Sequence, residues 1–180
     1  MDNGASSYRR FLDGDEAAFD LVVREYREPL IFFISRYVHD TSSAEDIAID
    51  VFMYILVHPK RYNFKVSLKT YLFMLGRSRA VDFLRRQKKL LPLEEAVTAE
   101  DYISLENIVL ADQRRKTVNG AIAKLNTDMQ AAVHLVYFEG LTYEETARVM
   151  KKSKKQVDNL LYRAKKELRT ILGKEGEELL

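Results

Sequence analysis

The sequence keeps a helical repeat of apolar residues along nearly its whole length. Apolar side chains recur at spacings of three and four, as at Phe19, Val22 and Val23, and Val/Ile-rich runs that alternate apolar and polar residues do not occur. Three prolines and seven glycines are all that interrupt the 180 residues. Because no stretch has the period of a strand, the sequence predicts an all-α fold.

Capping residues divide the first part of the chain into expected helices. Asp15 can cap a helix, Pro29 suits the first turn of the next one, and Ser42 with Glu45 has the spacing of a capping box. Pro59 should end the helix that this box begins. We therefore expect helices over residues 6–12, 15–26, 29–38, 44–57 and 67–89, enough for a bundle with its own core.

Three more capping boxes organise the last part of the chain. They pair Thr127 with Gln130, Thr142 with Glu145, and Ser153 with Gln156. The boxes predict helices over residues 128–139, 143–150 and 154–172, and the apolar pattern before them predicts another over residues 108–125. The segment 91–107 is acid-rich and broken at Pro92, which indicates a linker. The expected organisation is two small helical domains, residues 1–90 and 108–175, joined by an acidic linker over residues 91–107.

Positive charge is concentrated in two blocks, although the formal net charge is only +2. The segment 60–89 carries its Lys and Arg residues against a single acid, Asp82. The segment 92–112 then carries acids without any Lys or Arg, and the stretch 143–169 is the second basic block. Two basic modules on either side of an acidic connector favour a polyanion held at two places, with nucleic acid as the commonest candidate.

Several functional classes lack their sequence signals. The chain has no cysteine, which excludes disulfides and thiolate metal sites. Its three histidines are far apart, and no nucleotide-binding glycine motif occurs, so we expect no catalytic centre, metal or cofactor. The first ten residues lack the apolar core of a signal peptide, and Arg36 interrupts the apolar run "LIFFI", which predicts a cytoplasmic protein.

The last two expected helices have the arrangement of a helix-turn-helix. A short capped helix, a turn at Lys151 and Lys152, and a longer basic helix place the second helix in a DNA major groove. A solvated Lys-rich helix of an unrelated bundle is the alternative. The apolar stripe of the expected helix over residues 154–172 comprises Val157, Leu160, Leu161, Ala164 and Leu168. Its opposite face offers phosphate-binding and base-reading groups: Lys154, Lys155, Gln156, Asn159, Tyr162, Arg163 and Lys166. Lys154 and Lys155 oppose the helix dipole, which a nearby phosphate would explain.

Aromatic residues are interleaved with the charges of the first basic block. This mixture suits single-stranded nucleic acid, since bases stack on rings while cations follow the backbone. Aromatic residues at helical spacing also fill cores, and we expect Phe73, with Tyr71, to do so. Tyr62 and Phe64, in the loop before the long helix, are the better stacking candidates.

These segments, in this order, resemble the extracytoplasmic-function (ECF) group of bacterial sigma factors. The stretch "GDEAAFDLVVREY" is similar to the group's opening helix, "AEDIAIDVF" to its polymerase-binding helix and "SLKTYLFMLGRSRAVDFLRR" to its minus-10-reading helix. The stretch "LVYFEGLTYEETARVMKKSKKQVDNLLYRAKKELR" is similar to its helix-turn-helix. The resemblance implies a non-catalytic subunit that binds core RNA polymerase, recognises promoter minus-10 and minus-35 elements and helps to open the DNA.

The resemblance also implies roles for individual residues. Contacts to core polymerase would come from Asp46, Asp50 and Phe52. The loop over residues 62–67 would hold a base flipped from the opened minus-10 element. The full expected minus-10 set is Tyr62, Phe64, Lys65, Ser67, Lys69, Arg79, Asp82, Arg85 and Arg86. Lys155, Asn159 and Arg163 would face the minus-35 duplex, where Asp158 replaces a frequent base. An anti-sigma factor is a common partner in the group, and a monomer is expected outside the polymerase.

Two other functions remain alternatives at this point. A stand-alone helix-turn-helix regulator would bind its operator without polymerase and would usually dimerise on a two-fold site. A helical enzyme could bind a metal through the carboxylates of "AEDIAID", although no histidine stands at ligand spacing. The acidic linker could lie in the RNA exit channel of the polymerase or act as a plain solvated tether.

Overall fold

The structure, a computed structural model, describes residues 3–90 and 113–173, and every regular element in these two segments is helical. The first segment contains α1 (Asn3–Leu12), α2 (Ala17–Val38), α3 (Thr41–Val57), a 3-10 turn (Pro59–Arg61) and α4 (Leu68–Leu90). The second contains α5 (Gln113–Ala123), α6 (Thr127–Val133), a π-helical turn (His134–Phe138), α7 (Tyr143–Met150) and α8 (Lys154–Leu172). The all-α prediction is confirmed, while the predicted linker lies outside the described residues.

Helix α2 is the centre of the first segment and packs against α1, α3 and α4. Its stripe includes Leu30, Phe33 and Ile34, all fully buried. Helix α4 packs closely against α2 at Gly76, where an added Cβ would lie 2.8 Å from Leu30 Cδ1. The absence of a side chain at Gly76 therefore lets the two helices pack at short range.

Helix α2 is continuous through Pro29, so the prediction of two helices, 15–26 and 29–38, is wrong. A proline in a helix interior costs about 3 kcal/mol, because one hydrogen bond is lost and its ring crowds the preceding turn. Burial of each large apolar side chain contributes about 1.5–3 kcal/mol, and the buried stripe continues from Tyr26 to Leu30 and Phe33 across the proline. Tertiary packing on both sides of Pro29 thus outweighs its local cost.

Two of the predicted capping boxes are also wrong. Helix α3 begins at Thr41, and its cap is Asp40, whose carboxylate accepts a hydrogen bond from Ser43 N at 2.7 Å. Helix α6 is capped by Asn126, which accepts from Met129 N at 2.9 Å. In both cases an Asp or Asn one or two residues upstream replaces the predicted Ser or Thr, and these residues are at least as favourable at the N-cap.

The two capping boxes of the helix-turn-helix are confirmed. Thr142 and Glu145 satisfy each other's backbone N–H groups at the start of α7, and Ser153 and Gln156 do the same at the start of α8. The turn between them places Lys151 in the left-handed region, at φ 52°. Both helix starts match the predicted residues because the capping signals lie within a few residues of the ends that they set.

The two described segments pack against each other, chiefly through α4 against α7 and α2 against α6. Lys69 Nζ lies 3.0 Å from the backbone oxygen of Glu139 and 3.2 Å from its carboxylate. Thr70 donates a hydrogen bond to the Glu145 carboxylate at 3.2 Å. The N-terminal end of α4 is therefore held by polar groups of the second segment.

His134 forms the apolar part of the same interface. Its side chain is 4% exposed, and its ring lies 4.8 Å from that of Phe32 and within 6.3 Å of Phe33 and Phe73, measured between centroids. Burial, aided by the charge of Arg36, lowers the pKa of His134 to about 3. Glu139 lies 3.5 Å from Nε2 and would favour the charged ring, but desolvation is the larger effect. His134 is thus a neutral core residue at physiological pH.

Candidate nucleic-acid and polymerase interface

Helix α8 presents the predicted polar face to solvent. Val157, Leu161, Ala164 and Leu168 are buried on the opposite side, and Leu160 is half-buried. All seven predicted contact residues are exposed, and Tyr162 is 71% exposed. Asn159 and Arg163 are four residues apart and therefore neighbours on one face. The helix combines a buried anchor with a free surface that carries amide, guanidinium and ammonium groups.

Contacts within the second segment account for the positions of two side chains on this face, Lys154 and Gln156. Lys154 Nζ contacts the Glu144 carboxylate at 2.5 Å, and the hydrogen bond lowers the pKa of Glu144 while raising that of Lys154. The pair with Glu144 therefore accounts for Lys154 at the helix start without a phosphate. Gln156 Oε1 accepts from Ser153 N at 2.7 Å, so its carbonyl is engaged in the cap. Lys155 keeps the unfavourable position at the helix start that a phosphate would offset.

The basic surface continues beyond the predicted residues on the C-terminal half of α8. Lys165 and Arg169 are exposed there and line a shallow depression with Tyr162 and Lys166. Lys165 Nζ also lies 5.5 Å from the ring centroid of Tyr137, at the π-helical turn. Sequence reasoning missed these two cations, although their charge and their place on a helix already assigned to DNA were visible.

The loop over residues 62–67 has a buried floor rather than two exposed rings. Tyr62 is 4% exposed, and its hydroxyl donates to the Val66 carbonyl at 2.7 Å. Its ring stacks on that of Tyr71, with centroids 5.1 Å apart. The expectation that Tyr62 presents a free stacking surface is therefore wrong. Phe64, half-buried and in the left-handed conformation at φ 59°, lies nearer the surface.

The remaining predicted minus-10 residues follow this loop along α4. Lys65 is exposed, whereas Ser67 Oγ caps α4 by accepting from Thr70 N at 3.1 Å. Arg79 lies over the Tyr54 ring, with its guanidinium carbon 4.8 Å from the centroid. Farther along, Asp82 and Arg85 are 3.6 Å apart, and Arg85 and Arg86 are exposed. The cations thus extend from the loop along one helix, as a nucleic-acid backbone would require.

Helix α3 carries the predicted polymerase-docking residues, but they do not share one environment. Asp46 and Asp50 are exposed. Phe52 is 7% exposed and belongs to the core, so its ring is not available for docking in this structure. Ile49 and Met53 are 53% and 51% exposed on the side of α3 that carries the two aspartates. The spacing 46, 49, 50, 53 is that of one helical face, and this spacing could have revealed both apolar residues.

The metal-binding alternative receives no support from the described residues. Within residues 3–90 and 113–173 no group of three His, Cys, Asp or Glu side chains could hold an ion. The carboxylate of Glu45, one of the acids of the stretch "AEDIAID", lies 3.7 Å from Nη2 of Arg27. In the same described ranges no helix is both long and apolar enough to cross a membrane.

Both segments of the chain are similar in sequence to known proteins. The sequence model described as Sigma-70 region 2 matches residues 22–90, and the one described as Sigma-70, region 4 matches residues 115–168. The RNA polymerase sigma-H factor of Pseudomonas aeruginosa is 30% identical over 164 residues, which are 84% of either chain. The ECF RNA polymerase sigma-E factor of Escherichia coli (strain K12) is 26% identical over 167 residues, 87% of either chain.

Two solved structures share the fold. The sigma factor RpoE of Bartonella quintana, in complex with the anti-sigma factor NepR, superposes with a TM-score of 0.73 at 18% identity, covering 86% of this chain and 96% of that one. CnrH, in complex with the cytosolic domain of CnrY, superposes with a TM-score of 0.61 at 19% identity, covering 94% of each chain. Both likenesses span the two helical segments described above.

The chain therefore belongs to the sigma-70 family of RNA polymerase sigma factors. Within that family it is a member of the ECF group. Its partners are core RNA polymerase and promoter DNA, and its function is promoter recognition in transcription initiation.

Proposed function

We propose that this sigma factor divides promoter recognition among three surfaces. Helix α8 reads the minus-35 duplex, the loop over residues 62–67 with α4 holds the opened minus-10 strand, and the exposed face of α3 docks on core polymerase. The proposal rests chiefly on α8, whose predicted contact face is exposed while its apolar stripe is buried. The protein acts as a non-catalytic subunit in the cytoplasm and helps to open the DNA.

On α8, base reading and phosphate binding fall to different side chains. Asn159 can pair with adenine and Arg163 with guanine through two hydrogen bonds each. Lys155 and Lys166, also exposed, supply charge to the phosphates beside these bases. Tyr162, which is 71% exposed, offers a ring and a hydroxyl at the edge of the same face.

In the first segment, the minus-10 site has Phe64 and Lys65 at its surface and Tyr62 beneath them. The buried Tyr62 fixes the loop through its hydrogen bond to Val66, while Phe64 offers ring surface to an unpaired base. Arg79, Arg85 and Arg86 then follow the strand along α4. Asp82, paired with Arg85, orients that guanidinium rather than binding phosphate itself.

On α3, a mixed surface suits a protein partner. Ile49 and Met53 supply apolar area, and Asp46 and Asp50 supply charge that can select a basic partner surface. Phe52 supports this surface from within the core. Core polymerase is the partner that we assign to it.

The two promoter elements cannot be bound while the two segments remain packed together. Elements centred near minus-10 and minus-35 are about 25 base pairs apart, or on the order of 85 Å at 3.4 Å per pair. Residues 91–112 can reach on the order of 75 Å when extended, which with the two domains is sufficient. Promoter binding therefore requires that α4 separates from α7, and this separation releases Lys69 from Glu139.

A regulatory partner fits the same two-segment arrangement. The two solved relatives of the same fold were captured with an anti-sigma factor and with the cytosolic domain of CnrY. We propose that a partner of the anti-sigma class binds this chain and holds it away from core polymerase.

The deciding experiment is run-off transcription on a pool of promoter fragments from the host genome. Core RNA polymerase with this protein should produce defined start sites that core polymerase alone does not, and aligned start sites should reveal two upstream elements. Specific DNA binding without polymerase, and no new start sites with it, would instead identify a stand-alone helix-turn-helix regulator.

A further inference from the structure

Helix α1 packs directly on the loop that we assign to the minus-10 strand. Tyr8 is fully buried, and its hydroxyl lies 2.9 Å from the Ile55 carbonyl and 3.1 Å from that of Pro59. Its ring meets the Tyr62 ring edge-on, with centroids 5.6 Å apart. Tyr8 thus ties α1 to the end of α3, to the 3-10 turn and to the floor of the loop.

The next residue, Arg9, contacts the loop from outside. Its guanidinium carbon lies 4.8 Å from the centroid of the Phe64 ring, within the range of a cation–π interaction. The Phe64 ring lies 4.5 Å from that of Tyr62 and 6.5 Å from that of Tyr8. Phe64 therefore has aromatic neighbours on its buried side and the exposed Arg9 on another.

Phe64 needs such support because its backbone is in an unusual conformation. At φ 59° it occupies the left-handed region, which bulky residues rarely adopt. The backbone is fixed on either side, since Lys65 N donates to Asn63 Oδ1 at 3.1 Å and Tyr62 donates to Val66. The orientation of the Phe64 ring is then set by its contacts, and Arg9 is the charged member of that set.

We propose that Arg9 is a positioning residue of the minus-10 site. It holds the Phe64 ring in the orientation that receives an unpaired base, and its exposed guanidinium adds one cation for the phosphate beside that base. This inference rests on the proposed role of the loop in binding the opened strand. It adds α1 to a site that the sequence placed entirely within residues 62–86.

Arg10 provides a matched control on the same helix. It carries the same charge at the next position of α1, but its Nε donates to Asp15 at 3.0 Å and its guanidinium pairs with that carboxylate. Both arginines are exposed, so replacement of either one leaves the core intact. Of the two arginines, Arg9 is the one placed over the Phe64 ring.

The experiment measures strand binding by the complete holoenzyme. Full-length protein with core polymerase is titrated with single-stranded DNA of a minus-10 element found by run-off transcription, labelled with 2-aminopurine at successive positions. Arg9→Gln should weaken binding about two- to fivefold, as expected for an exposed cation–π contact. Arg9→Gln should also change the fluorescence at one position, while Arg10→Gln should match the wild type.

Two further variants separate the parts of the proposed role. Arg9→Lys keeps the charge but not the planar group. It should therefore keep the wild-type salt dependence of binding, whose slope is about 0.7 per phosphate on single strands. Its 2-aminopurine fluorescence should still differ from that of the wild type, as in Arg9→Gln. Phe64→Gly removes the ring and accepts the left-handed backbone. In that background Arg9→Gln should change only the salt-dependent part of binding and leave the 2-aminopurine signal unaltered.

Equal behaviour of Arg9→Gln and Arg10→Gln would overturn the inference, provided that the wild type binds the strand and Phe64→Gly weakens it. If Arg9→Gln changes the 2-aminopurine fluorescence as much in the Phe64→Gly background as in the wild type, Arg9 does not act by positioning the Phe64 ring. If the wild-type holoenzyme transcribes normally and Phe64→Gly leaves strand binding unchanged, the proposed role of the loop is overturned, and this inference with it.

Discussion

The two regions that we propose to bind DNA are built in opposite ways. Helix α8 follows a capped turn, stands on a buried stripe of its own small domain and leaves its reading face open. The loop over residues 62–67 is held by contacts from α1 and from α4, and Lys69 beside it is bound by Glu139 of the other segment. The proposed duplex-reading helix is thus preformed and accessible, whereas the proposed strand-binding loop depends on distant parts of the chain.

This contrast predicts that substitutions on α8 act directly on DNA affinity. Arg163→Ala and Asn159→Ala should each weaken binding of the holoenzyme to a matched minus-35 element by about 1–3 kcal/mol, since each removes a base contact that we propose. Lys166→Ala is the comparison: its loss should be similar on all sequences and should reduce the salt slope by about 0.9. Competition binding on matched and mismatched promoters measures both. Equal losses on the two promoters would show that Asn159 and Arg163 contact phosphate alone.

The interface between the segments should respond to pH through His134. Its pKa is lowered to about 3 in the folded protein, against about 6.5 when unfolded, so the unfolded state binds the proton more readily. The stabilising effect is therefore complete above pH 6.5 and is lost as the pH falls, at up to about 1.4 kcal/mol per pH unit. Urea unfolding at pH 7.5, 6.5 and 5.5 should show this slope.

The matched variant for this test is His134→Phe, which keeps a ring among Phe32, Phe33 and Phe73 but cannot titrate. It should unfold with a smaller dependence on pH than the wild type over the same interval. Identical slopes for the two proteins would mean that groups other than His134 govern the acid sensitivity of the interface.

Capping offers a smaller effect with an internal control. Asp40→Ala should lower the free energy of unfolding by about 1 kcal/mol because the cap of α3 is lost. Ser42→Ala, at the residue that the sequence pattern favoured, should change it by less than about 0.5 kcal/mol. Chemical denaturation compares the two variants, and a larger effect at Ser42 than at Asp40 would contradict the cap that the structure assigns.

The smallest expected effect concerns the hold on Lys69. Glu139→Gln removes the carboxylate from a partly exposed pair worth about 0.2–1 kcal/mol, so separation of the segments becomes easier. We expect core polymerase to bind the separated segments, so its affinity for the protein should rise about 1.4- to fivefold. Glu144→Gln, which breaks a pair with Lys154 inside the second segment, should leave it unchanged. A similar gain from both variants would indicate a general charge effect.

The sequence predicted much of the candidate site where the signals were local. The helix-turn-helix boxes, the stripe beginning at Val157 and the exposure of Arg163 all depend on residues within four positions of one another. The predictions failed where a side chain's environment depends on remote segments. Tyr62 and Phe52 have the composition of contact residues, yet helices far away in the sequence bury them.

By itself, the amino-acid sequence determined that this protein is helical, where α7 and α8 begin and which face of α8 is polar, because caps and helical periodicity act within a single turn or two. Only the tertiary structure decided that α2 continues through Pro29, that α1 supports the loop through Tyr8 and Arg9, and that Lys69 meets Glu139. These outcomes depend on burial and packing between segments many residues apart, which local patterns do not encode.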